Sequence, residues 1–310
     1  MLPLLVHTPA FAVASAREIA AELFGLTAAA RALPSERDQN FLLTNETGEK
    51  FVLKIANALE SRTLLEAQNA VQEHLAKQQV AFTPRVLPSL KGERISTYAN
   101  HLVRLVTYLP GVPLAETAPH SPALLHDLGS KLGHMDRALA DFDHPAVHRD
   151  FHWDLANGNR VIDEYHDLVA ERELVLQCRF ESNTDPRCSV IHGDANDYNV
   201  LVEADRISGL IDFGDIVYSW TVSNLAVALA YVVLGKEDPI AAAQHVIDGY
   251  NEEFELLDEE REVLWKLVRL RLAMSVCLAA HQLRQRPDNE YLSISQRAIR
   301  ETLPRLFTHQ

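Results

Sequence analysis

One looped-back segment near the middle of the chain constrains its fold more than any other. Two short apolar runs, Val200 to Val202 and Ile207 to Ile211, flank a charged tetrad that suits an exposed turn, so the pair predicts a β-hairpin. Polar side chains stand at both ends of this hairpin, with Asp194 and Asn199 at the entrance and Asp212 at the exit. The hairpin is therefore expected to bring two carboxylates and one amide close together.

This set of side chains matches the needs of phosphoryl transfer. The transferred group is a spread-out anion, which is stabilised by metal ions rather than by covalent help. In this interpretation Asn199 and Asp212 bind magnesium, while Asp194 orients the attacking hydroxyl and accepts its proton. The alternative is turn chemistry at two hairpin ends. Turns require neither the Asn199 spacing nor the apolar runs, so the first interpretation is favoured.

The motif spacing resembles that of kinases. Asp-x4-Asn followed by Asp-Phe-Gly is the spacing of protein-kinase catalytic and metal-binding loops. The opening His192-Gly193-Asp194, with Gly where protein kinases usually carry Arg, instead resembles the small-molecule kinases of the aminoglycoside phosphotransferase and choline kinase superfamily. A second triplet, His148-Arg149-Asp150, is a decoy, because no Asn lies five residues after Asp150 and no Asp-Phe-Gly follows at hairpin distance.

Composition narrows the class of partner. The 310 residues suffice for two lobes with their own cores, and 47% hydrophobic with 23% charged residues is typical of a soluble globular protein. A formal net charge of -14 argues against a nucleic-acid partner and suits a cationic small molecule. We predict a small-molecule amine or amino-acid substrate and no nucleic-acid or membrane partner. A homodimer is compatible with this prediction.

Cysteines and apolar stretches indicate the compartment. Cys178, Cys188 and Cys277 lack a metal-binding spacing and predict reduced thiols in a cytoplasm. The apolar start, 1–16, has no basic segment before it, so we expect no signal peptide. The run Val222 to Leu234 is too short to span a bilayer and predicts a buried helix.

The first third of the chain predicts a small β-rich lobe. A helix is expected over 11–25, and a polar turn joins strands over 41–43 and 51–55. The second strand carries Lys54 amid apolar neighbours, and this Lys is expected to reach the α- and β-phosphates of a nucleotide. An outward Lys on an edge strand is the alternative.

The helix predicted over 61–79 supplies a partner for this Lys. Glu66, in the first turns, is the predicted carboxylate, and Glu73 is the rival. A strand pair follows and ends near Thr107 and Leu109, whose backbone groups are expected to hydrogen-bond a purine edge. The alternative is an ordinary strand end with a turn.

The rest of the chain predicts a mainly helical lobe. Ser121 and the following Pro open a helix with an apolar stripe. Further helices are expected over 161–180, 222–234, 238–253, 259–286 and 290–303. The predicted fold is α+β, a bilobal protein-kinase-like fold with a small β-rich N-lobe and a large mainly helical C-lobe. The predicted domains are a nucleotide-binding lobe, 1–107, and a catalytic and substrate-binding lobe, 108–310.

Six stretches taken in order resemble the hydroxylysine kinase branch of the aminoglycoside phosphotransferase superfamily, over nearly the whole chain. They are 35–41, 52–55, 108–111, 148–155, 192–201 and 211–215. The resemblance implies ATP or GTP as co-substrate and Mg²⁺ as the metal. It implies Lys54 on the nucleotide phosphates with Glu66 as its partner, Asp194 as the catalytic carboxylate, and Asn199 and Asp212 as magnesium ligands.

Two departures from kinases at large accompany the resemblance. The predicted phosphate-covering loop, from Ser35 to Asn40, contains no Gly-x-Gly-x-x-Gly, so polar side chains rather than bare backbone must approach the phosphates. Asn224 stands where many relatives carry an Asp that anchors the catalytic loop. Support of that loop is therefore expected to be weaker or differently arranged.

The acceptor is the least determined part of the prediction. A hydroxylated amino acid offers ammonium, carboxylate and hydroxyl groups, and Asp215 ranks highest among the side chains that would face it. The full set is Asp215, Asp150 and Asp154 for the cation, Arg149 for the carboxylate, and Trp153 and Tyr218 for the aliphatic stem or for a cation over a ring. Each of these is alternatively a surface charge or a packed aromatic.

Three functions compete. The first is a kinase of a hydroxylysine-like acceptor, and the second is a kinase of homoserine, choline, ethanolamine or an aminoglycoside. The third is a catalytically inactive nucleotide-binding module. The presence of all four predicted site residues argues against this third function; they are Lys54, Asp194, Asn199 and Asp212.

Overall fold

The chain folds into two compact units, Met1–Pro110 and Gly111–Gln310. The structure is a computed structural model and describes residues 8–35, 37–184, 186–285 and 294–307. No helix within these ranges is both long and apolar enough to cross a membrane.

The first unit is an antiparallel sheet with two helices. Its elements are α1 (Val13–Phe24), β1 (Ala28–Leu33), β2 (Gln39–Asn45), β3 (Lys50–Ile55), α2 (Arg62–Lys77), β4 (Val86–Leu87), β5 (Ser96–Tyr98) and β6 (His101–Thr107). The strand order is β1-β2-β3-β6-β4, and β5 pairs with β6. The Ala-rich β1 was not predicted from the sequence, since Ala is depleted in strands.

The two faces of this sheet differ in chemistry. Phe41, Leu53 and Leu105 lie opposite one another on β2, β3 and β6, and all three are buried in one core cluster with Ile19 of α1. Because side chains alternate along a strand, the next row of the register, which contains Lys54, faces the other way. The apolar row therefore packs on α1 and leaves a polar row on the opposite face.

The second unit is mainly helical and contains two small sheets. Its elements are β7 (Val112–Pro113), α3 (Pro122–Leu139), α4 (Gly158–Tyr165), α5 (Arg172–Gln177), β8 (Cys188–Ile191), β9 (Val200–Glu203), β10 (Arg206–Leu210), β11 (Val217–Trp220), α6 (Val222–Val232), α7 (Pro239–Glu253), α8 (Asp258–Gln285) and α9 (Gln296–Thr302). One sheet has the order β10-β9-β7, and β11 pairs with β8 in the other.

The predicted hairpin and the start of α3 are confirmed. β9 and β10 are antiparallel, with a register shift between Ile207 and Gly209. At the start of α3, Ser121 Oγ accepts a hydrogen bond from the Leu124 N–H at 3.0 Å, and Pro122 is the first helical residue.

Other element predictions were wrong or fall outside the described chain. The single helix expected over 161–180 is two helices, α4 and α5, because Val169 is extended after a 3₁₀ turn. The sequence carries no Gly or Pro there to signal the break. The helix expected over 290–303 begins at Gln296 in α9, and residues 290–293 lie outside the described residues.

The helices α3 and α7 approach each other closely through glycines. A Cβ placed on Gly129 would lie 1.9 Å from the carbonyl oxygen of Val246, and one on Gly249 would lie 2.0 Å from that of His126. No side chain fits at these separations. The close approach allows Tyr250 of α7 to reach Asp136 of α3, which is fully buried.

Candidate active site

The loop between β8 and β9 begins with a turn that only glycine adopts easily. Gly193 has φ +77°, and a Cβ on it would lie 2.8 Å from the carbonyl oxygen of Asp215. The left-handed conformation and the close backbone approach both disfavour a side chain at this position. Gly193 therefore lets the chain after Asp212 pass directly beside the start of the loop.

Asp194 is held by three side chains. Its Oδ1 accepts a hydrogen bond from Arg271 Nη2 at 2.8 Å. Its Oδ2 accepts from Asn199 Nδ2 at 2.8 Å and from Asn196 Nδ2 at 3.0 Å. The side chain keeps 20% of its surface exposed, so a reacting group can still approach the carboxylate.

Burial raises the pKa of Asp194 to about 6, and the Arg271 charge opposes this rise. The carboxylates of Asp215 and Asp212 push the pKa in the same direction as burial does. The carboxylates of Asp194, Asp212 and Asp215 are thus close enough for their charges to interact. A carboxylate with a raised pKa accepts a proton more readily, which suits a general base.

A neutral histidine connects the two motifs. His192 is fully buried, its Nε2–H donates to the Ile211 carbonyl oxygen at 3.1 Å, and its Nδ1 accepts from the Asp194 N–H at 3.3 Å. Burial lowers the pKa of His192 to about 4, so the ring is uncharged near neutral pH. Its edge also contacts the Phe213 ring, with the centroids 4.7 Å apart. The ring thereby fixes the catalytic loop against the Asp-Phe-Gly segment.

The hairpin brings the three residues predicted from its ends together. The Ile211 N–H donates to the Asn199 carbonyl oxygen at 2.9 Å, which joins entrance to exit. Asp212 is exposed in a left-handed conformation, φ 64°, and its Oδ1 accepts from the Gly214 N–H at 3.3 Å. Sequence spacing alone anticipated this convergence of Asp194, Asn199 and Asp212.

The donor set fits a hard divalent cation. Asn199 uses its amide nitrogen on Asp194, which leaves the amide oxygen as the atom that can bind a metal, and Asp212 offers an exposed carboxylate. Within the described residues no group of three or more His, Cys, Asp or Glu side chains is arranged to hold a metal ion. One carboxylate and one amide nevertheless match magnesium, which usually completes its shell with waters and substrate phosphates.

The loop is anchored from behind by a buried network. The Gly193 N–H donates to Asn224 Oδ1 at 3.3 Å, and Asn224 Nδ2 donates to Asp136 Oδ1 at 2.7 Å. Tyr250 donates its O–H to Asp136 Oδ2 at 2.7 Å. Asp136 fixes the orientation of the Asn224 amide, because only the oxygen end can accept from Gly193. Asn224 therefore anchors the loop directly, and the carboxylate of Asp136 supports the loop through Asn224.

In the first unit, polar side chains share one face of the sheet. Asn40, Lys54 and Arg104 lie opposite one another on β2, β3 and β6, so their side chains project on the same side. Asn40 Nδ2 donates to the exposed Ser35 Oγ at 3.2 Å, and the Asn40 Oδ1 is buried without a hydrogen-bond partner in the described structure. The structure thus brings Ser35, Asn40 and Lys54 to one side of the sheet.

The helix α2 meets this polar row with amide side chains. Arg104 donates to Gln68 Oε1 at 2.8 Å and to Asn69 Oδ1 at 3.0 Å, so this face offers amides. Glu66 is exposed, and it lies two residues before Gln68 and three before Asn69, which is about 200° from the first and about 60° from the second around the helix. The pairing of Glu66 with Lys54 stays a prediction. The rival, Glu73, pairs with Arg94 at 3.0 Å.

The predicted purine-binding backbone has one group already in use. The Thr107 N–H donates to the Arg85 carbonyl oxygen, and Thr107 Oγ1 accepts from the Arg85 N–H, both at 2.9 Å. Leu109 follows the end of β6 and is half-buried. The backbone N–H and C=O of Leu109, by contrast, lie beyond the end of β6.

Two candidate substrate residues make other contacts. Arg149 donates from Nε to the Ile216 carbonyl oxygen at 3.1 Å and from Nη2 to that of Gly214 at 2.9 Å. Arg149 therefore supports the segment after Asp212, and these N–H groups are not available to an acceptor carboxylate. Asp150 accepts from Arg160 Nη1 at 3.0 Å, and both side chains are more than half exposed. Asp150 is thus part of a surface ion pair.

The other substrate candidates differ in access. Asp215 is 6% exposed, and Asp154 is buried with its Oδ1 accepting from Ser219 Oγ at 2.5 Å. Burial raises the pKa of Asp154, while the Ser219 hydrogen bond opposes the rise. Tyr218 is exposed and stacks on the His148 ring, with the centroids 4.5 Å apart. The Trp153 ring lies under the Arg271 guanidinium.

Two residues of the site were missed from the sequence. No site role was predicted for Arg271, which lies in the helix expected over 259–286, or for Asn196. An Arg within the apolar run of α8 was a usable signal, because a cation is rarely buried without a partner. Asn196 accepts from the N–H groups of Tyr198 and Asn199, at 2.8 and 3.1 Å, and closes the turn. Asn at the first position of such a turn was a second signal.

The geometry of this loop, beside an Asp-Phe-Gly segment on a kinase-like scaffold, defines a phosphotransferase. The chain belongs to the phosphotransferase enzyme family APH, which matches residues 29–264.

Three similar proteins agree with this family. The chain is 31% identical to the hydroxylysine kinase of Mus musculus, over 96% of this chain and 90% of that protein. It is 27% identical to the homoserine kinase of Zymomonas mobilis, over 75% of this chain and 74% of that protein. The amicoumacin kinase hAmiN, solved with AMP-PNP, Ca²⁺ and Ami, superposes with a TM-score of 0.74 over 94% of this chain and 93% of that chain, at 18% identity.

These comparisons confirm several predictions. The α+β kinase-like fold and the predicted superfamily are confirmed. The chain is a small-molecule kinase, a phosphotransferase that acts on a hydroxyl group. Use of a nucleotide follows from its being a kinase.

Proposed function

We propose that the chain transfers the γ-phosphoryl group of ATP or GTP to the hydroxyl of a small amino-containing acceptor, with hydroxylysine as the first candidate. The observation that carries this proposal is Asp194, whose carboxylate is fixed by Arg271 and two Asn amides beside Asn199 and Asp212. The similarity to hydroxylysine kinases over nearly the full length supports the acceptor class.

The proposed roles follow from chemistry. Asp194 accepts the proton of the acceptor hydroxyl as the phosphoryl group is transferred. The Asn199 amide oxygen and the Asp212 carboxylate bind Mg²⁺, which neutralises charge on the phosphate oxygens when it is bound. Lys54 binds the nucleotide phosphates from the first unit, with Ser35 and Asn40 close to it in place of a Gly-rich loop.

The two units have separate proposed tasks. The N-terminal lobe, 1–107, binds the nucleotide, and the backbone at Leu109, just beyond this lobe, lies near the purine. The C-terminal lobe, 108–310, supplies catalysis and binds the acceptor. We also propose a cytoplasmic location, in which Cys178, Cys188 and Cys277 are expected to be reduced.

Within the second unit, Asp215 is the strongest candidate for the acceptor cation. It is buried, and its charge acts on Asp194, so an ammonium group bound near it would lie close to the base. Homoserine is the second candidate acceptor, since a homoserine kinase is among the similar proteins. Choline, ethanolamine and aminoglycosides are the further candidate acceptors.

The test is nucleotide consumption with a panel of acceptors. Hydroxylysine, homoserine, choline, ethanolamine and kanamycin are each assayed with ATP and with GTP in the presence of Mg²⁺, with Asp194→Ala as the control. We expect acceptor-dependent turnover that is greatest with hydroxylysine and lost in the variant. Turnover greatest with another acceptor would reassign the substrate. Nucleotide binding without turnover on any acceptor would instead indicate an inactive nucleotide-binding module.

A further inference from the structure

Arg271 is a cation in an apolar environment. It lies in the middle of α8 and is 2% exposed, and its flanking neighbours Leu270 and Leu272 are fully buried. A charged side chain is buried at a large desolvation cost unless it is paired and hydrogen-bonded. The position therefore calls for a specific partner.

The contacts of Arg271 converge on the catalytic loop. Nη2 donates to Asp194 Oδ1 at 2.8 Å, and Nη1 donates to the Trp153 carbonyl oxygen at 3.3 Å. The guanidinium carbon lies 4.5 Å from the centroid of the Trp153 ring and 5.9 Å from that of Tyr231. The guanidinium is thus held by Trp153 and Tyr231, which lie outside α8, as well as by Asp194.

The Arg271 pair is difficult to explain by stability alone. Well-packed apolar residues in place of a buried ion pair are often neutral or stabilising. The Nε–H of Arg271 is also buried and has no hydrogen-bond partner in the described structure, which adds a further cost. A buried pair of this kind, directly on the proposed base, has a functional explanation instead.

The explanation lies in the geometry of the carboxylate. Asn196 and Asn199 donate to Oδ2 only, and a carboxylate held at one oxygen can still rotate about its Cβ–Cγ bond. Arg271 donates to the other oxygen, so the plane of the carboxylate is determined. A misplacement of 1 Å in a reacting group can cost roughly a hundredfold in rate.

We propose that Arg271 is a positioning residue, which acts through Asp194 by fixing the plane of its carboxylate toward the acceptor hydroxyl. This inference rests on the proposed function of Asp194 as the base. The competing role is binding of an acceptor carboxylate by Arg271 itself. However, Nη2 of Arg271 donates to Asp194, and the side chain is almost fully buried. The guanidinium therefore has no accessible pair of N–H groups for a ligand carboxylate.

The test compares Arg271→Met and Arg271→Lys with Arg269→Met as the matched control. Arg269 is also buried in α8, but it donates to the Leu306 carbonyl oxygen and stacks on Phe307. With Mg-ATP and hydroxylysine, we expect Arg271→Met to lower kcat about tenfold to a hundredfold at unchanged KM for both substrates. Arg271→Lys should recover part of this loss, and Arg269→Met should keep the wild-type kcat.

Two results would overturn the positioning role. One is a wild-type kcat in Arg271→Met, and the other is an unchanged kcat with a raised KM for hydroxylysine, which would make Arg271 an acceptor-binding residue. Crystal structures of both variants give a readout that does not depend on turnover. We expect the Asp194 carboxylate to be rotated in Arg271→Met and in its wild-type orientation in Arg271→Lys, and an unrotated carboxylate in Arg271→Met contradicts the proposal. Failure of the proposed function would differ, since the wild-type protein would then transfer nothing to any acceptor.

Discussion

At the scale of single residues, a few backbone conformations place the reactive groups. The loop carrying Asp194 passes beside the segment carrying Asp215 because Gly193 has no side chain and adopts a positive φ. Asp212 has a positive φ as well, and its side chain is exposed at the exit of the hairpin. Geometry of this kind is local, so single substitutions test it.

Gly193→Ala should abolish most turnover without unfolding the protein. The added Cβ would meet the Asp215 carbonyl oxygen at 2.8 Å and force two reactive segments apart. Gly92→Ala is the matched control, because Gly92 has φ +78° and open space around its Cβ position. Steady-state kinetics and thermal unfolding of both variants check this. Equal kcat values for the two variants would show that the close approach has no catalytic consequence.

Asp212→Ala should weaken binding of the magnesium nucleotide. Asp212 supplies the one carboxylate of the proposed metal pair, and it is exposed, so its loss removes a ligand without disturbing the core. Titration calorimetry with Mg-ATP and with ATP alone measures the effect. We expect the advantage of added Mg²⁺ to disappear in the variant; an unchanged Mg²⁺ dependence would move the metal site elsewhere.

The sequence predicted those site residues whose spacing reflects local structure. Asp194, Asn199 and Asp212 lie at the ends of one hairpin, and a hairpin is readable from apolar runs and a turn. Arg271 reaches the site from a helix distant in sequence, and no local pattern specifies that contact. For Glu66 the helix was predicted correctly, but which of its side chains meets Lys54 depends on packing that no local pattern specifies, so the pairing of Glu66 with Lys54 stays a prediction.

At the scale of elements, the close contact of α3 with α7 supports the loop from behind. Glycines allow the two helices to approach, and Tyr250 then reaches Asp136, which orients Asn224. The apolar stripe of α3 was predicted from the sequence, and its leucines are buried. The partner helix was not predictable, because the pattern shows that a face is buried but not what covers it.

Gly249→Ala should destabilise the second unit by about 1–3 kcal/mol, the usual cost of overpacking. In a free helix the same change would stabilise by about 1 kcal/mol, since Ala has the higher helix propensity. The sign is reversed because a Cβ would lie 2.0 Å from the His126 carbonyl oxygen. Urea denaturation gives the free energy of unfolding. A gain in stability would show that α3 and α7 can separate without cost.

At the scale of the whole molecule, the buried Asp136 couples folding to pH. Burial raises its pKa from the ordinary 3.8 to about 7, although hydrogen bonds from Tyr250 and Asn224 oppose the rise. The neighbouring Glu260 raises the pKa as well, and Arg187 lowers it. The folded protein therefore binds more protons than the unfolded chain between pH 3.8 and about 7.

The stability that Asp136 contributes should be fully present below pH 3.8 and lost as the pH rises through about 7. Asp136→Asn cannot titrate and serves as the reference. We expect the free energy of unfolding of the wild type, relative to the variant, to fall steadily over this interval and to level off above it. Denaturation curves at pH 5, 6, 7 and 8 measure the difference, and a difference independent of pH would place the titration elsewhere.

The central claim is that Asp194 accepts the proton of an acceptor hydroxyl. The most direct measurement is kcat for Asp194→Asn, with the dissociation constant of the magnesium nucleotide measured on the same preparation. Because a general base contributes about 10²–10⁴-fold, we predict a loss of that size with nucleotide affinity unchanged. A variant that retained the wild-type kcat would contradict the claim.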